Sequence, residues 1–310
     1  MSYPRRSVRL VRSAVRLATG PEFTLRVVAC QDDHRGWSAP EERIGHELVL
    51  VRRGRFRRRV RGEVADVDPT VGYLSAPGDE ERFAHPSGGD LCTSICVGEG
   101  LWPAEGASSV LYVDAQLDLA HRRLLAATRS GDVDYALVEQ LLVLLSGVLD
   151  TVTATGGADD ATGSSATAPG RPNPSDATGS HPRTATRSAG RVPEANARNL
   201  AARARAAILD ADPAAHGLLP LAAHLGVSPY RLSRVFTREM GVSLTRYRNR
   251  VRVGRALDRL EAGEPNLALL AAELGFADQA HLTRTVRAHV GRTPAALRRL
   301  LDPPTSRGPS

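Results

Sequence analysis

The spacing of apolar residues changes along the chain and divides it into regions. Between residues 23 and 113, short runs rich in β-branched and aromatic residues, such as FTLRVVAC, HELVLVRRGRFRRRVRG, VGYLSAPG and LCTSICVG, are separated by Gly, Pro and Asp. These runs predict an antiparallel all-β unit, either a sandwich or a barrel. From residue 114 to 150, and again from 194 to about 301, apolar residues recur at three- and four-residue spacing, which predicts helices.

A pair of helices is predicted directly after the β unit. Asp114 and Asp132 precede the two leucine-rich runs and suit the N-cap position. The second run, YALVEQLLVLLSGVL, carries a leucine stripe that a lone helix would leave uncovered, so we expect a homodimer through residues 132–150. Its apolar core, residues 141–149, is about half the roughly 20 residues of a spanning helix, so we expect no membrane crossing.

Residues 151–192 contain almost no large apolar side chain and are dominated by Gly, Ala, Ser, Thr and Pro. Such a segment buries too little surface to offset the entropy of ordering. The sequence therefore predicts a flexible linker. The predicted divisions are a β domain at 1–113, a helical hairpin at 114–150, the linker at 151–192, an all-α domain at 193–301 and a tail at 302–310.

The all-α region contains the same motif twice. Each copy reads as a helix, a turn at glycine and a second helix, which begins after Ser228 in one copy and after Asp278 in the other. This is the arrangement of a helix-turn-helix. The identical pairs are Leu221/Leu270, Ala222/Ala271, Ala223/Ala272, Leu225/Leu274, Gly226/Gly275, Leu232/Leu282, Arg234/Arg284 and Gly241/Gly291.

A helical period of 100° per residue assigns the faces of both second helices. Leu232, Val235 and Phe236 turn inward in the first copy, as do Leu282 and Val286 in the second. The outward residues are polar and basic, which suits insertion into a DNA major groove, where arginine pairs with guanine. They are Tyr230, Ser233, Arg234 and Thr237 in the first copy and Ala280, Thr283, Arg284 and Arg287 in the second.

The charge of the chain is concentrated near this double motif. All 41 basic residues are arginine, and from Arg191 onward 19 arginines outnumber 10 acidic residues. A basic region of this kind is typical of a domain that binds nucleic acid. Three cysteines, Cys30, Cys92 and Cys96, are too few for a disulfide framework and fit a reducing cytoplasm.

The double motif resembles the DNA-binding domain of the AraC/XylS family of bacterial transcription regulators. The resemblance covers about a third of the chain and is carried by LAAHLGVSPYRLSRVFTREMGVSLTRY, RVRVGRALDRL and LAAELGFADQAHLTRTVRAHVGRTPAALR. Ala280 and Val286 depart from the family, which commonly has a polar residue and Phe there. The resemblance implies DNA contacts from Tyr230, Ser233, Arg234, Gln279, Ala280, Thr283 and Arg284. We add Ser228, Thr237 and Arg287 as further expected DNA contacts.

The N-terminal β unit resembles, more weakly, the cupin-like sensor barrel that many members of this family carry. This resemblance implies an effector pocket, for which His46 and His85 are the candidates. Metal-binding cupins place two histidines one residue apart, and no such pair occurs here, so we expect no metal site and no cofactor. The arginine-rich run from Arg52 to Gly62 can serve as a second nucleic-acid patch, a solvated outer face or a site for an anionic effector.

The sequence thus predicts an α+β multidomain protein: a cupin-like antiparallel β-barrel with a helix pair, a linker, and an all-α domain with two helix-turn-helix motifs. The expected function is sequence-specific transcription regulation without catalytic activity. The expected partners are double-stranded promoter DNA, RNA polymerase by family analogy, a small-molecule effector and a second copy of the chain. The alternatives are a cupin-type metalloenzyme with a DNA-targeting appendage and a non-specific architectural DNA-binding protein.

Overall fold

The computed structural model describes residues 12–31, 35–102, 109–129, 131–160 and 191–301. Within these ranges the chain forms ten β-strands and nine α-helices. Its contacts group into two compact units. The barrel unit comprises residues 1–151 and 245–310, and the first-motif unit comprises residues 152–244.

The barrel unit contains two antiparallel sheets. The first has the order β1 (Arg12–Gly20), β2 (Phe23–Cys30), β9 (Asp90–Val97), β4 (His46–Arg53), β7 (Val71–Ser75) and β10 (Ser109–Tyr112). The second has the order β3 (Glu41–Glu42), β8 (Glu80–Ala84), β5 (Phe56–Val60) and β6 (Glu63–Val67). The predicted antiparallel β unit is confirmed, whereas β1 lies in a segment for which no strand was predicted.

Side chains from both sheets share one core, so the sheets face each other as in a barrel. The shared core consists of Val28, Val49, Val51, Phe56, Val67, Tyr73, Phe83 and Cys92. Arg58 of β5 lies among them, with its Nε donating to Glu81 at 2.8 Å and its guanidinium 4.3 Å from the centre of the Tyr73 ring. The interpretation of the arginine run as a solvated face is therefore wrong for Arg58, because Glu81 compensates its charge inside the barrel.

Both predicted helices after the β unit are present. α1 (Ala115–Ala127) begins at Asp114, whose carboxylate accepts from the backbone N–H groups of Gln116 and Leu117. A π-helical turn (Val133–Leu137) begins at Asp132, which caps it through the Tyr135 N–H, and leads into α2 (Val138–Asp160). α1 lies against β9, since His121 Nε2 is 2.8 Å from Thr93 Oγ1.

The remainder of the barrel unit is helical. α6 (Leu244–Glu261), α7 (Leu267–Glu273), α8 (Gln279–Val290) and α9 (Pro294–Leu301) surround an apolar core, to which α1 contributes Ala115 and Leu119. The segment TRYRNRVRVGRALDRLEAG, which lies between the two motifs, forms the single helix α6 up to Glu261. α1, by contrast, packs into the same core as the second motif, α7 and α8.

The first-motif unit consists of α3 (Arg191–Leu209), a 3-10 turn (Pro213–His216), α4 (Leu218–His224) and α5 (Pro229–Met240). α5 packs against α3. Leu200, Ala204 and Ile208 are buried on α3, and Leu232 and Phe236 are fully buried on α5. Small alanines on α3 allow this close helix packing.

The predicted linker is helical at its start. α2 extends from the predicted hairpin through Thr151 to Asp160, because a helix already nucleated by packed leucines continues at little further cost. Residues 161–190 of the predicted linker lie outside the described residues. By length and composition, the 20 residues Val133–Val152 are able to span a membrane. One helix of this kind is weak evidence for a membrane protein, since core helices of soluble proteins meet the same criteria.

Candidate nucleic-acid interface

The first helix-turn-helix motif consists of α4 and α5, joined by a turn at Gly226. This glycine has φ +70°, a left-handed conformation that most side chains disfavour. Ser228 then caps α5, with its Oγ accepting from the Arg231 N–H at 3.2 Å, and Pro229 occupies the first helical position. The predicted turn and cap are both confirmed.

The outer face of α5 carries the predicted DNA contacts. Tyr230, Arg234 and Thr237 are exposed and Ser233 is half-buried, whereas Leu232 and Phe236 point into the unit. Arg234 and Tyr230 form a pair on this face, with Arg234 Nη1 donating to the Tyr230 hydroxyl at 3.3 Å and the guanidinium 5.5 Å from the ring centre. The Tyr230 ring therefore restricts where the Arg234 guanidinium points.

The second motif, α7 and α8, has the same construction. Its turn residue Gly275 has φ +72°, and Asp278 caps α8 by accepting from the His281 N–H at 2.6 Å. Leu282 and Val286 are fully buried, as the helical period predicted. The outward residues are Gln279, Ala280, Arg284 and Arg287, which are exposed, and Thr283, which is half-buried.

Arg284 differs from Arg234 in its surroundings. The residue one turn before it is Ala280, which offers neither an aromatic ring nor a hydroxyl group. Among the described residues, Arg284 has no hydrogen bond or ion pair. Its guanidinium is thus less restricted than that of Arg234, although the two arginines occupy matching positions of the repeat.

Helix α6, which precedes the second motif, is held by buried ion pairs. Arg122 of α1 donates from Nε to Asp118 at 2.9 Å and pairs through Nη1 with Glu261 of α6 at 2.9 Å. Arg250 of α6 pairs with Asp118 at 3.2 Å and donates to the Val113 carbonyl at 2.8 Å. α6 and α1 are therefore tied by charge as well as by their shared apolar core.

Burial and charge together shift the pKa values of this cluster. Burial alone would raise the pKa of Asp118. The positive charges of Arg122, Arg250 and Arg52 have the larger effect and lower this pKa to about 2. Burial lowers the pKa of His121 to about 3, with help from the positive charge of Arg52. Asp118 is thus ionised and His121 neutral at physiological pH.

Arginines also lie along α6, where Arg246 is exposed, Arg248 and Arg255 are half-buried and Arg252 is buried. Burial and the neighbouring charges of Arg248 and Arg255 lower the pKa of Arg252 to about 10. The Arg252 guanidinium lies 5.4 Å from the centre of the Phe276 ring, so this arginine packs against the second motif.

The two histidines predicted for an effector pocket lie at opposite ends of strand β9. His46 faces Val97 in the register of β4 and β9 and stacks on Trp102 at 5.4 Å. His85 lies 2.9 Å from Asp90, at the other end of β9, and lines a cavity of about 40 Å³. Sequence reasoning did not find Cys30 and Asp90, which line the cavity with His85, because Cys30 is far from the other two in the chain and the pattern does not reveal which strands pair.

Comparison with known proteins supports the assignment of the double motif. The sequence profile of a helix-turn-helix domain family matches residues 221–300, which span α4 through α9. No curated protein matches the chain.

Three solved structures resemble parts or most of the chain. The C-terminal domain of AraT, a response regulator from Geobacillus stearothermophilus, is 24% identical over 36% of this chain and 93% of that one, with a TM-score of 0.33. Unsaturated-fatty-acid-bound ToxT from Vibrio cholerae is 9% identical over 94% and 99%, with a TM-score of 0.36. A cupin superfamily protein from Desulfitobacterium hafniense is 13% identical over 32% and 84%, with a TM-score of 0.25.

The matched profile covers both motifs, and both present a capped second helix with a polar, arginine-bearing outer face. Residues 221–300 are therefore a helix-turn-helix domain of the AraC type, the DNA-binding domain of a transcription regulator.

Proposed function

We propose that the protein regulates transcription by binding a specific sequence in double-stranded promoter DNA through the outer faces of α5 and α8. The observation that carries this proposal is that Arg234 and Arg284 are both exposed and occupy the same position of the repeat, each on the second helix of a capped motif. Arginine at such a position recognises guanine through O6 and N7. Ser233 with Thr237, and Thr283 with Arg287, flank the two arginines on the same faces.

The proposal extends to both grooves and to the outcome of binding. One protomer reads two successive major grooves, with residues 193–301 as the reader and one motif in each groove. The protein has no catalytic activity and acts in the cytoplasm. By family analogy it activates transcription through contact with RNA polymerase, and the sheet unit before residue 114 senses a small molecule.

We further propose a homodimer through residues 132–150. The predicted leucine stripe is not left uncovered, because Leu141, Leu144 and Leu145 are buried within the chain. The proposal instead depends on the apolar side chains that stay exposed, namely Tyr135, which is 81% exposed, and Leu142 and Val143, which are nearly half exposed. Val15 and Leu17 of strand β1, which contacts the π-helical turn, are also exposed apolar side chains. A second copy of the chain would cover this surface, because identical faces related by a two-fold axis complement each other.

The experiment that tests DNA recognition is selection of bound sequences from a random DNA pool by the full-length protein. Arg234→Ala and Arg284→Ala should each relax the preference at one guanine, at a different position of the site, with a loss of about 1 to 3 kcal/mol. Arg203→Ala on α3 and Arg299→Ala on α9 are the matched controls, since both arginines are exposed outside the two faces.

Enrichment of no sequence would contradict the proposal and favour a non-specific DNA-binding protein. Equal weakening on all sequences in Arg234→Ala and Arg284→Ala would mean that both arginines contact phosphate rather than bases. Sedimentation at micromolar concentration tests the homodimer, and a monomer there would contradict it.

A further inference from the structure

The barrel contains a buried cluster of three side chains with different donor atoms. Cys30 ends β2, Asp90 begins β9, and His85 directly follows β8. Their sulfur, oxygen and nitrogen donor atoms all lie within 4.8 Å of one another, and all three residues are buried. His85 Nε2 and Asp90 Oδ1 are 2.9 Å apart.

The fold itself brings these donors together. Cys30 and Asp90 are direct partners in the antiparallel register of β2 and β9. Gly89 lets the chain before β9 pass close to β2, since a Cβ there would lie 2.3 Å from the Cys30 carbonyl oxygen. His85 approaches from the end of β8, which belongs to the other sheet. The cluster thus forms where the two sheets meet.

We propose that Cys30, His85 and Asp90 bind a divalent transition-metal ion, with Zn²⁺ as the best match. Thiolate, imidazole and carboxylate are the three kinds of protein ligand that Zn²⁺ takes. In a tetrahedral site these donors lie about 3.3 to 3.8 Å from one another. His85 and Asp90 need to separate by roughly half an ångström to reach this spacing, which a side-chain rotation provides.

The fourth position of the metal faces the cavity that the three donors line. This cavity has a volume of about 40 Å³. Its other walls are the apolar and aromatic side chains of Val28, Phe56, Tyr73 and Phe83, the thiol of Cys92, and the polar side chains of Arg12, Ser38 and Glu41. A metal-bound water molecule fits this space. The volume is well below the roughly 300 Å³ of small-molecule pockets, so we assign the metal a structural role.

A metal at this position would link three strands of two sheets. β2 and β9 are already hydrogen-bonded to each other, but β8 belongs to the other sheet. The ion would therefore fix the separation of the sheets at this end of the barrel. This role does not depend on the proposed DNA recognition.

The experiment is a titration of the full-length, reduced and chelator-treated protein with Co²⁺, followed by Zn²⁺. Co²⁺ should bind once per chain and produce the near-ultraviolet charge-transfer band of a cobalt–thiolate bond. Zn²⁺ should then remove the band, because it binds such sites more tightly than Co²⁺. Adventitious binding by exposed histidines produces no thiolate band.

Variants identify the thiolate. Cys30→Ser should abolish the band, and Cys96→Ser, the matched control on β9 outside the cavity, should leave it unchanged. Should Cys30→Ser fail to fold, Asp90→Asn, which keeps the side-chain shape, should weaken Co²⁺ binding at least about tenfold. Absence of the band in the wild type, its persistence in Cys30→Ser, its loss in Cys96→Ser, or unchanged affinity in Asp90→Asn would overturn the proposal.

Discussion

The two helix-turn-helix motifs share a plan but differ in their support. In the first, Tyr230 restricts Arg234, and α5 packs on the alanine-rich helix α3. In the second, Ala280 leaves Arg284 unrestricted, while the motif packs with α1 around one core and the helix before it is held by buried ion pairs. In the first motif a neighbouring ring restricts the arginine on the outer face, whereas in the second the packing and ion pairs hold the helices themselves. Two copies of one sequence motif are therefore stabilised by different interactions.

The largest effect should come from breaking the ion pairs beside the second motif. Asp118→Asn removes the carboxylate that pairs with the buried guanidinium of Arg250 and one of the carboxylates that pair with Arg122, so the free energy of unfolding should fall by about 3 to 5 kcal/mol. Urea denaturation of the full-length protein measures this. Asp66→Asn is the control, because its ion pair with Arg57 is half exposed and contributes about 0 to 1 kcal/mol. An equal fall in the free energy of unfolding in the two variants would show that the buried Asp118 ion pairs stabilise the fold no more than an exposed pair does.

The next effect concerns the cores of the two motifs. Leu232→Ala and Leu282→Ala each remove a fully buried side chain, and each should cost about 2 to 5 kcal/mol. Hydrogen exchange should separate them, since Leu232→Ala should loosen α3 whereas Leu282→Ala should loosen α1. Unchanged protection of α1 in Leu282→Ala would contradict the shared core.

The surroundings of the second motif should also respond to pH through His121. The folded state lowers the pKa of His121 from 6.5 to about 3, so the unfolded chain binds a proton first as the pH falls. The contribution of neutral His121 to the free energy of unfolding is fully present above pH 6.5. Below this pH the free energy of unfolding should fall by up to about 1.4 kcal/mol per pH unit. His121→Gln keeps a partner for Thr93 but does not titrate, so its stability should decline less steeply between pH 6.5 and 5. Identical slopes would exclude this role.

The smallest effect should come from exchanging the supports of the two arginines. Tyr230→Ala removes the ring beside Arg234, and Ala280→Tyr places one beside Arg284. We expect changes of about 0.5 to 1 kcal/mol in base discrimination, a loss in the first variant and a gain in the second. Competition binding with the selected DNA site and its single-base variants measures both, and opposite signs are the test of the comparison.

The local features of the reader were predictable from the sequence. The helical period placed Leu232 and Leu282 inside and the two arginines outside, and Ser228 and Asp278 were predicted as caps, because a cap and a face depend on residues within one or two turns. The core that α1 shares with the second motif was not predicted. The contact of Ala115 with helices far along the chain leaves no mark in the local pattern.

The same limit applies inside the barrel. The pattern predicted strands but not which strands pair. It therefore did not indicate that Cys30 is the register partner of Asp90, or that His85 of the other sheet lies beside both. The interpretation of Arg58 as solvated was wrong for a related reason. A run of arginines is usually solvated, but the partner that makes the burial of Arg58 favourable, Glu81, lies on another strand. Sequence spacing reveals ligands that share a strand or helix, not those that meet across a sheet.

The proposed homodimer through the apolar side chains that α2 leaves exposed makes cellular abundance a variable of the proposed regulator. A face that only a second copy covers is covered in a fraction of molecules that rises with the concentration of the chain. While paired molecules are scarce, their number increases with the square of the amount of free chain. A doubled gene dosage would then more than double the number of paired regulators, so a cell could adjust the response steeply through modest changes in expression.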